Sequence, residues 1–190
     1  MLRDFDFQTK RIFFSNLLLT LCCAFYLVWW LLAFKPVNPV KGMKTGWLLL
    51  PAFTAGIAAV VFAARGIGAA VRPGLFPSGW ILWGGILAYV VLLGVTGFLL
   101  HRPVTTELFL IVGWAMLALS EVSALFGGGA FDHRTAVVFA AIIAVGATVS
   151  LICYVLYYNL SAAAGFIDGM VPLLMAALVM AGINLALLKG

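Results

Sequence analysis

The chain has 190 residues, of which 65% are hydrophobic and only 9% charged, whereas soluble domains carry about 45–50% apolar and about 25% charged residues. A water-soluble fold of this size has no means of hiding so much apolar surface, so lipid must solvate its outer face. The formal net charge is +5, but the cations stand singly between apolar runs, where anionic headgroups and the positive-inside bias place them. No dense basic patch interleaved with aromatics exists, which excludes nucleic acid as a partner.

A helix needs about 20 apolar residues to cross the hydrocarbon core. The first candidate, Ile12–Phe34, is 23 residues long, beyond the roughly 7–15 of a signal-peptide core. It reads as a membrane-spanning first helix. Five more follow, at Trp47–Ala64, Trp80–Leu100, Val104–Phe126, Ala136–Tyr158 and Gly165–Leu188. The second is short, and Gly66 to Val71 would extend it past Arg65. The runs are continuous rather than alternating, which selects helices over the strands of a membrane barrel.

Breaker residues separate the runs. Lys35-Pro36-Val37-Asn38-Pro39 ends the first helix, because proline lacks an amide hydrogen and disfavours helix before it. Arg72-Pro73-Gly74 through Gly79, His101-Arg102-Pro103, Gly127-Gly128-Gly129 and Asn159–Ala164 supply the other turns. Connections this short make successive helices antiparallel. The expected architecture is an all-α polytopic bundle of six antiparallel transmembrane helices over 1–190, with no soluble domain.

Six spans put both termini on one side. That side holds Arg3, Lys10, Arg11, Arg65, Arg72, Arg134 and Lys189; the other holds Lys35, Lys41, Lys44 and Arg102. Seven cations against four favour cytoplasmic termini in a plasma (inner) membrane. Trp29, Trp30, Trp47, Tyr157 and Tyr158 fall at the opposite interface, and Trp80 and Trp83 at the termini side, as an aromatic belt requires. Trp114 is the exception, halfway along the fourth helix. Gly94-x-x-Gly97, Ala55-x-x-x-Ala59 and Ala140-x-x-x-Ala144 are spaced for close helix packing.

Glu121 is the most informative residue. It lies five positions before the end of its apolar run, so it is submerged by about 7–8 Å. A carboxyl at that depth must be protonated, paired or in contact with water. Asn16 and Asn184 are each five positions inside a flanking cation, Arg11 and Lys189. The three therefore share a depth. If their faces converge they form either a polar pocket opening toward the termini side or a set of interhelical hydrogen bonds. Asn16, Thr20 and Cys23 share one helix face.

Asp168 precedes Gly169 and Pro172. It reads either as a carboxylate beside a broken helix, as in ion-coupled carriers, or as the cap of a final helix with Pro172 in its first turn. The cap is the favoured reading. Glu107 follows Pro103-Val104-Thr105-Thr106 and reads as a helix-start signal.

His101 and His133 lie on opposite membrane faces and cannot share a haem. Cys22, Cys23 and Cys153 sit inside apolar runs without metal-ligand spacing. Gly66-Ile67-Gly68-Ala69-Ala70-Val71 lacks the third glycine of a dinucleotide fingerprint, and HExxH and GxSxG motifs are missing. No cofactor, metal or catalytic residue is therefore expected. The expected role is binding or transport of a small molecule or ion. Glu121, Asn16 and Asn184 are the candidate contacts, with Asp168, Trp114 and Tyr89 as further ones. A separate energising subunit would have to drive any active transport. The alternatives are an assembly subunit without its own ligand, and a lipid-active enzyme using Glu121 or Asp168.

Overall fold

The computed structural model describes residues 6–34, 45–69, 73–77, 79–101 and 106–189. The expected proline turn after the first helix, Arg72 and Arg102 lie outside them. Among the described residues seven α-helices follow one another: α1 (Phe7–Ala33), α2 (Leu49–Ile67, entered through a 3-10 turn at Thr45–Leu48), α3 (Trp80–Leu100), α4 (Thr106–Gly127), α5 (His133–Tyr157), α6 (Ala162–Asp168) and α7 (Val171–Lys189). The first five, and α6 with α7 together, give six helical stretches long and apolar enough to cross a bilayer. No strand occurs among the described residues. The chain is a multi-pass integral membrane protein, in which helices satisfy their own backbone groups where water is missing.

Caps set the helix starts. The Thr9 amide donates to Asp6 Oδ1 at 2.8 Å, so α1 begins at Phe7, five residues before the apolar run. The Thr135 amide likewise donates to Asp132 Oδ1 at 3.1 Å, so Asp132 caps α5, which begins at His133. At the other end of α2, Arg11 Nη1 donates to the Arg65 carbonyl at 3.2 Å, where a cation meets the negative helix terminus.

The sixth span is broken. The amide of Met170 turns back to the Ile167 carbonyl at 3.1 Å, and helix resumes with Leu174 donating to Met170 at 3.0 Å. Pro172 has no hydrogen to give the Asp168 carbonyl, so the ladder cannot run through. Asp168 is the last residue of α6 and does not cap the final helix, contrary to the favoured sequence reading.

Helix α1 is the hub: it packs along α2 and against α7, while α4 packs on α5 and α5 on α7. Ile12, Val122, Leu125, Ile143, Met180 and Ile183 meet in the core. Outward-facing Phe53, Trp80, Trp83 and Phe98 remain exposed, as expected of side chains solvated by lipid. Helix α3 leans on α4 alone among its stronger contacts, and only 6% of its most apolar window is buried.

Small residues act at one of the expected places and not at another. Ala59 is fully buried on the α1–α2 seam. A Cβ added at Gly94 or Gly97 would meet nothing within 4 Å, so that pair packs against no helix among the described residues. The tightest approach on the α1–α2 seam is instead at Gly66, where an added Cβ would come within 2.8 Å of Ile12 Cγ1 and 3.3 Å of the Ile12 backbone nitrogen.

Two outcomes follow. Gly66→Ala should cost about 1–3 kcal/mol by overpacking a seam whose backbone has no slack. Gly94→Ala should be neutral or stabilising by up to about 1 kcal/mol from helix propensity; reversible unfolding in mixed micelles compares the two. The Asp132 carboxyl lies below the usual aspartate range because Thr135 hydrogen-bonds its charged form. A carboxyl depressed in the folded state contributes stability above its unfolded value and loses it as pH falls through the folded value. An acid titration of unfolding should show that loss in the native chain and not in Asp132→Ala.

Candidate functional site

The heptad-like stripe Gln8, Ile12, Ser15, Leu19, Cys22, Tyr26 and Trp29 runs down one side of α1. Its two halves build two different environments, one toward the chain termini and one toward the far end of the bundle.

In the termini half, α1 meets α4 and α7 through polar groups. Ser15 Oγ lies 2.8 Å from Glu121 Oε1 and 2.9 Å from the Ala59 carbonyl oxygen. Asn184 Nδ2 donates to the Phe13 carbonyl at 3.1 Å, and Gln8 Nε2 donates to the Ala124 carbonyl at 2.8 Å. Asn16 is a neighbour of the Glu121 carboxyl, although neither of its amide atoms, nor Glu121 Oε2, finds a well-aligned partner. The sequence-expected convergence of Glu121, Asn16 and Asn184 is thus present around two turns of α1.

The cluster is closed rather than open. Glu121 and Asn16 have no exposed surface. Nearby, residues 73–77 pack on α4, with Gly74 against Ser123 and the Phe76 amide 3.5 Å from Ser123 Oγ. Ser15 has one proton and two oxygens to satisfy. Both contacts close if Glu121 is neutral and donates to Ser15, which donates onward to Ala59. Such a relay clasps α1, α2 and α4 together.

In the far half, the same stripe of α1 lines a cavity of about 540 Å³. From α1 come Cys22, Tyr26, Trp29 and Trp30; from α4, Glu107 and Trp114; from α5, Tyr154 and Tyr157; from the α6–α7 break, Asp168, Gly169 and Pro172. Eight of its 19 lining residues are aromatic, which makes the wall rather than any polar cluster its dominant chemistry. Tyr26 and Trp29 meet edge to face at 5.2 Å, and Trp30 stacks on Phe34 at 4.4 Å. Trp30 Nε1 donates to the Phe166 carbonyl at 3.0 Å, fastening α1 to α6. An added Cβ on Gly169 would come within 2.5 Å of Trp30 Cζ2, so only glycine lets the break pass under that indole.

Three lining side chains carry a buried polar atom with no hydrogen-bond partner among the described residues: Trp114 Nε1, the Tyr154 hydroxyl and Asp168 Oδ2. Buried polar atoms are normally paired, so three around one cavity stand out. Glu107 is near enough to Tyr26 and Tyr154 to act on both electrostatically, and the Cys153 thiol neighbours Asp168. Two carboxylates thus face a chamber with no Lys, Arg or His among its described lining residues. Among the described residues no group of three potential metal ligands gathers anywhere.

Of the residues singled out in the sequence, Trp114 and Asp168 line this cavity, whereas Glu121, Asn16 and Asn184 form the closed clasp. Tyr89 joins neither; it packs in the α3–α4 seam with Leu108 and Ile111 and meets Phe109 edge to face. Sequence reasoning missed Glu107, Tyr26, Trp30, Tyr154 and Tyr157 as one set. Their signal was present as aromatics concentrated at the far ends of α1 and α5, which an interfacial belt explains equally well. No protein-family model, curated protein or solved structure matches the chain.

The clasp predicts a split between two variants. Glu121→Gln keeps a donor for Ser15 and should stay within about 1 kcal/mol of the native stability. Glu121→Ala opens a void and strands Ser15 and Asn16, and should cost about 2–4 kcal/mol. Unfolding in mixed micelles reads both; equal losses would contradict the relay.

Proposed function

We propose that this membrane protein binds a small organic molecule in the far-end cavity, as a carrier or as the ligand-binding membrane component of a larger transporter. The observation that supports this most is the unsatisfied trio Trp114, Tyr154 and Asp168 in the wall of one aromatic chamber. Ligand sites are concave, mostly apolar, and carry a few convergent polar groups. The chamber has that character, and it lies beside a helix interrupted at Gly169, the kind of discontinuity at which transporters place their substrates. In this reading Glu121, Asn16 and Asn184 hold the bundle at its termini end while the far end does the binding.

A second reading, an assembly subunit, draws on α3. Its Gly94 and Gly97 face no helix among the described residues, and Trp80, Trp83 and Phe98 are exposed along it. Another membrane helix could cover that side. Co-purification that is lost in Gly94→Leu would favour it.

The test of the first reading is a thermal-stability screen of the purified chain against soluble small molecules. A ligand present at 100 times its Kd adds about 2.7 kcal/mol to the folded state, a shift of several degrees. Leu173→Trp, which narrows the cavity, should remain folded and weaken the shift. A shift unchanged in the narrowed variant, or no shift from any compound, rejects the chamber as a binding site. Uptake of the stabilising compound into proteoliposomes then separates a carrier from a binding component.

A further inference from the structure

Granting that the chamber binds a small molecule, we infer that its ligand is an organic cation, an ammonium group on an apolar body that also carries an oxygen acceptor. The inference rests on three features of the wall taken together: aromatic faces, two carboxylates and two unpaired donors.

The aromatic faces come first. Trp29, Trp30, Trp114, Tyr26 and Tyr157 come from three different helices and line one space. The negative face of such a ring attracts a cation within about 6 Å of its centroid, most strongly when water is excluded. The rings are held by mutual contacts, Tyr26 on Trp29 at 5.2 Å and Trp30 near Tyr157 at 6.5 Å. The chamber is therefore organised before a ligand arrives, which lowers the ordering cost of binding.

Charge selects the sign. Glu107 enters from the start of α4 and Asp168 from the end of α6. A ligand that fills the chamber expels water from the exposed part of Asp168, a half-buried side chain whose Oδ2 has no hydrogen-bond partner among the described residues. An anion would add repulsion to that loss. A neutral apolar body would leave the carboxylate desolvated and uncompensated, which opposes binding. A cation supplies the missing partner. A bare metal ion is a poor candidate, because the wall offers ring faces where a hard cation needs six or more oxygens. A weakly hydrated ammonium fits them.

The remaining groups describe the ligand's body. Trp114 Nε1 can only donate, and the Tyr154 hydroxyl can do so; both are unpaired, and Tyr154 is only 5% exposed. An ether, ester, hydroxyl or phosphoryl oxygen on the ligand would accept from them. Such chemistry is shared by free amphiphilic amines and by the trimethylammonium headgroup of a lipid.

The experiment uses the full chain in phosphatidylglycerol nanodiscs, with empty discs as the blank. Saturable binding is followed by saturation-transfer NMR for three probes: benzyltrimethylammonium, its neutral carbon isostere neopentylbenzene, and phenylacetate. The expected order is cation at least tenfold tighter than isostere, and phenylacetate weakest. Asp168→Asn and Glu107→Gln should each weaken the cation about tenfold and leave the isostere unchanged, with unfolding curves confirming that both variants fold. An isostere that binds as well as the cation, or phenylacetate that binds better, overturns the cation assignment and leaves small-molecule binding standing. Saturable binding of none of the three overturns both. Repeating the titration in phosphatidylcholine discs assigns the source: competition by the bilayer identifies a lipid headgroup, and unchanged affinity identifies a free solute, each in support of the cation site.

Discussion

A carboxyl with no exposed surface, set six residues from the end of a helix that crosses hydrocarbon, obliges everything near it to comply. Glu121 has no exposed surface, so its partner must come from the protein, and Ser15 supplies it, the two side chains bridging α1 and α4. The second contact of Ser15, with the Ala59 carbonyl, brings α2 into the same knot. Asn184 then fixes α7 by the Phe13 carbonyl on the opposite flank of α1. In lipid, apolar side chains gain little by leaving one hydrocarbon for another, and packing with a few interhelical hydrogen bonds must hold the helices together. Here those bonds are concentrated in one half of the bundle.

Concentrating them there frees the other half. Beyond Leu19, α1 presents rings instead of hydroxyls and amides, and the helices around it part to leave a chamber of about 540 Å³. The two halves divide labour along a single stripe of one helix. A sealed polar knot supplies rigidity, and an aromatic chamber supplies a surface with unmet hydrogen-bonding capacity. The α6–α7 break belongs to the second half, since a continuous helix would carry Asp168 and Gly169 past the chamber within an unbroken ladder.

Much of this was legible in the residues, and the reasons it stopped are physical. The six spans follow from solvent choice, which hydropathy measures directly. The shared depth of Glu121, Asn16 and Asn184 followed from counting 1.5 Å per residue from the end of an apolar run or a flanking cation, because depth is fixed by a helix's rise; that their faces would meet did not follow. Facing direction is not fixed by depth, so whether they bordered water was undetermined; the structure seals them. Helix starts were misplaced because Gln8, Thr9, Lys10 and Arg11 are helical yet polar, and hydropathy locates the hydrocarbon rather than the first turn. Gly94 and Gly97 have packing spacing, but spacing does not name a partner. The chamber was least legible: Tyr26, Trp30, Tyr154 and Tyr157 suit the headgroup layer as well as a cavity, and only tertiary placement distinguishes the two.

The bond from Trp30 to the Phe166 carbonyl, with Gly169 tucked beneath the same indole, also has a mechanical meaning. It works as a rivet between the first helix and the interrupted one. Force applied at the interruption is delivered straight to α1, and through α1 to the knot at the opposite face of the membrane. A displacement of the interruption would therefore be felt along α1 rather than taken up by a loop.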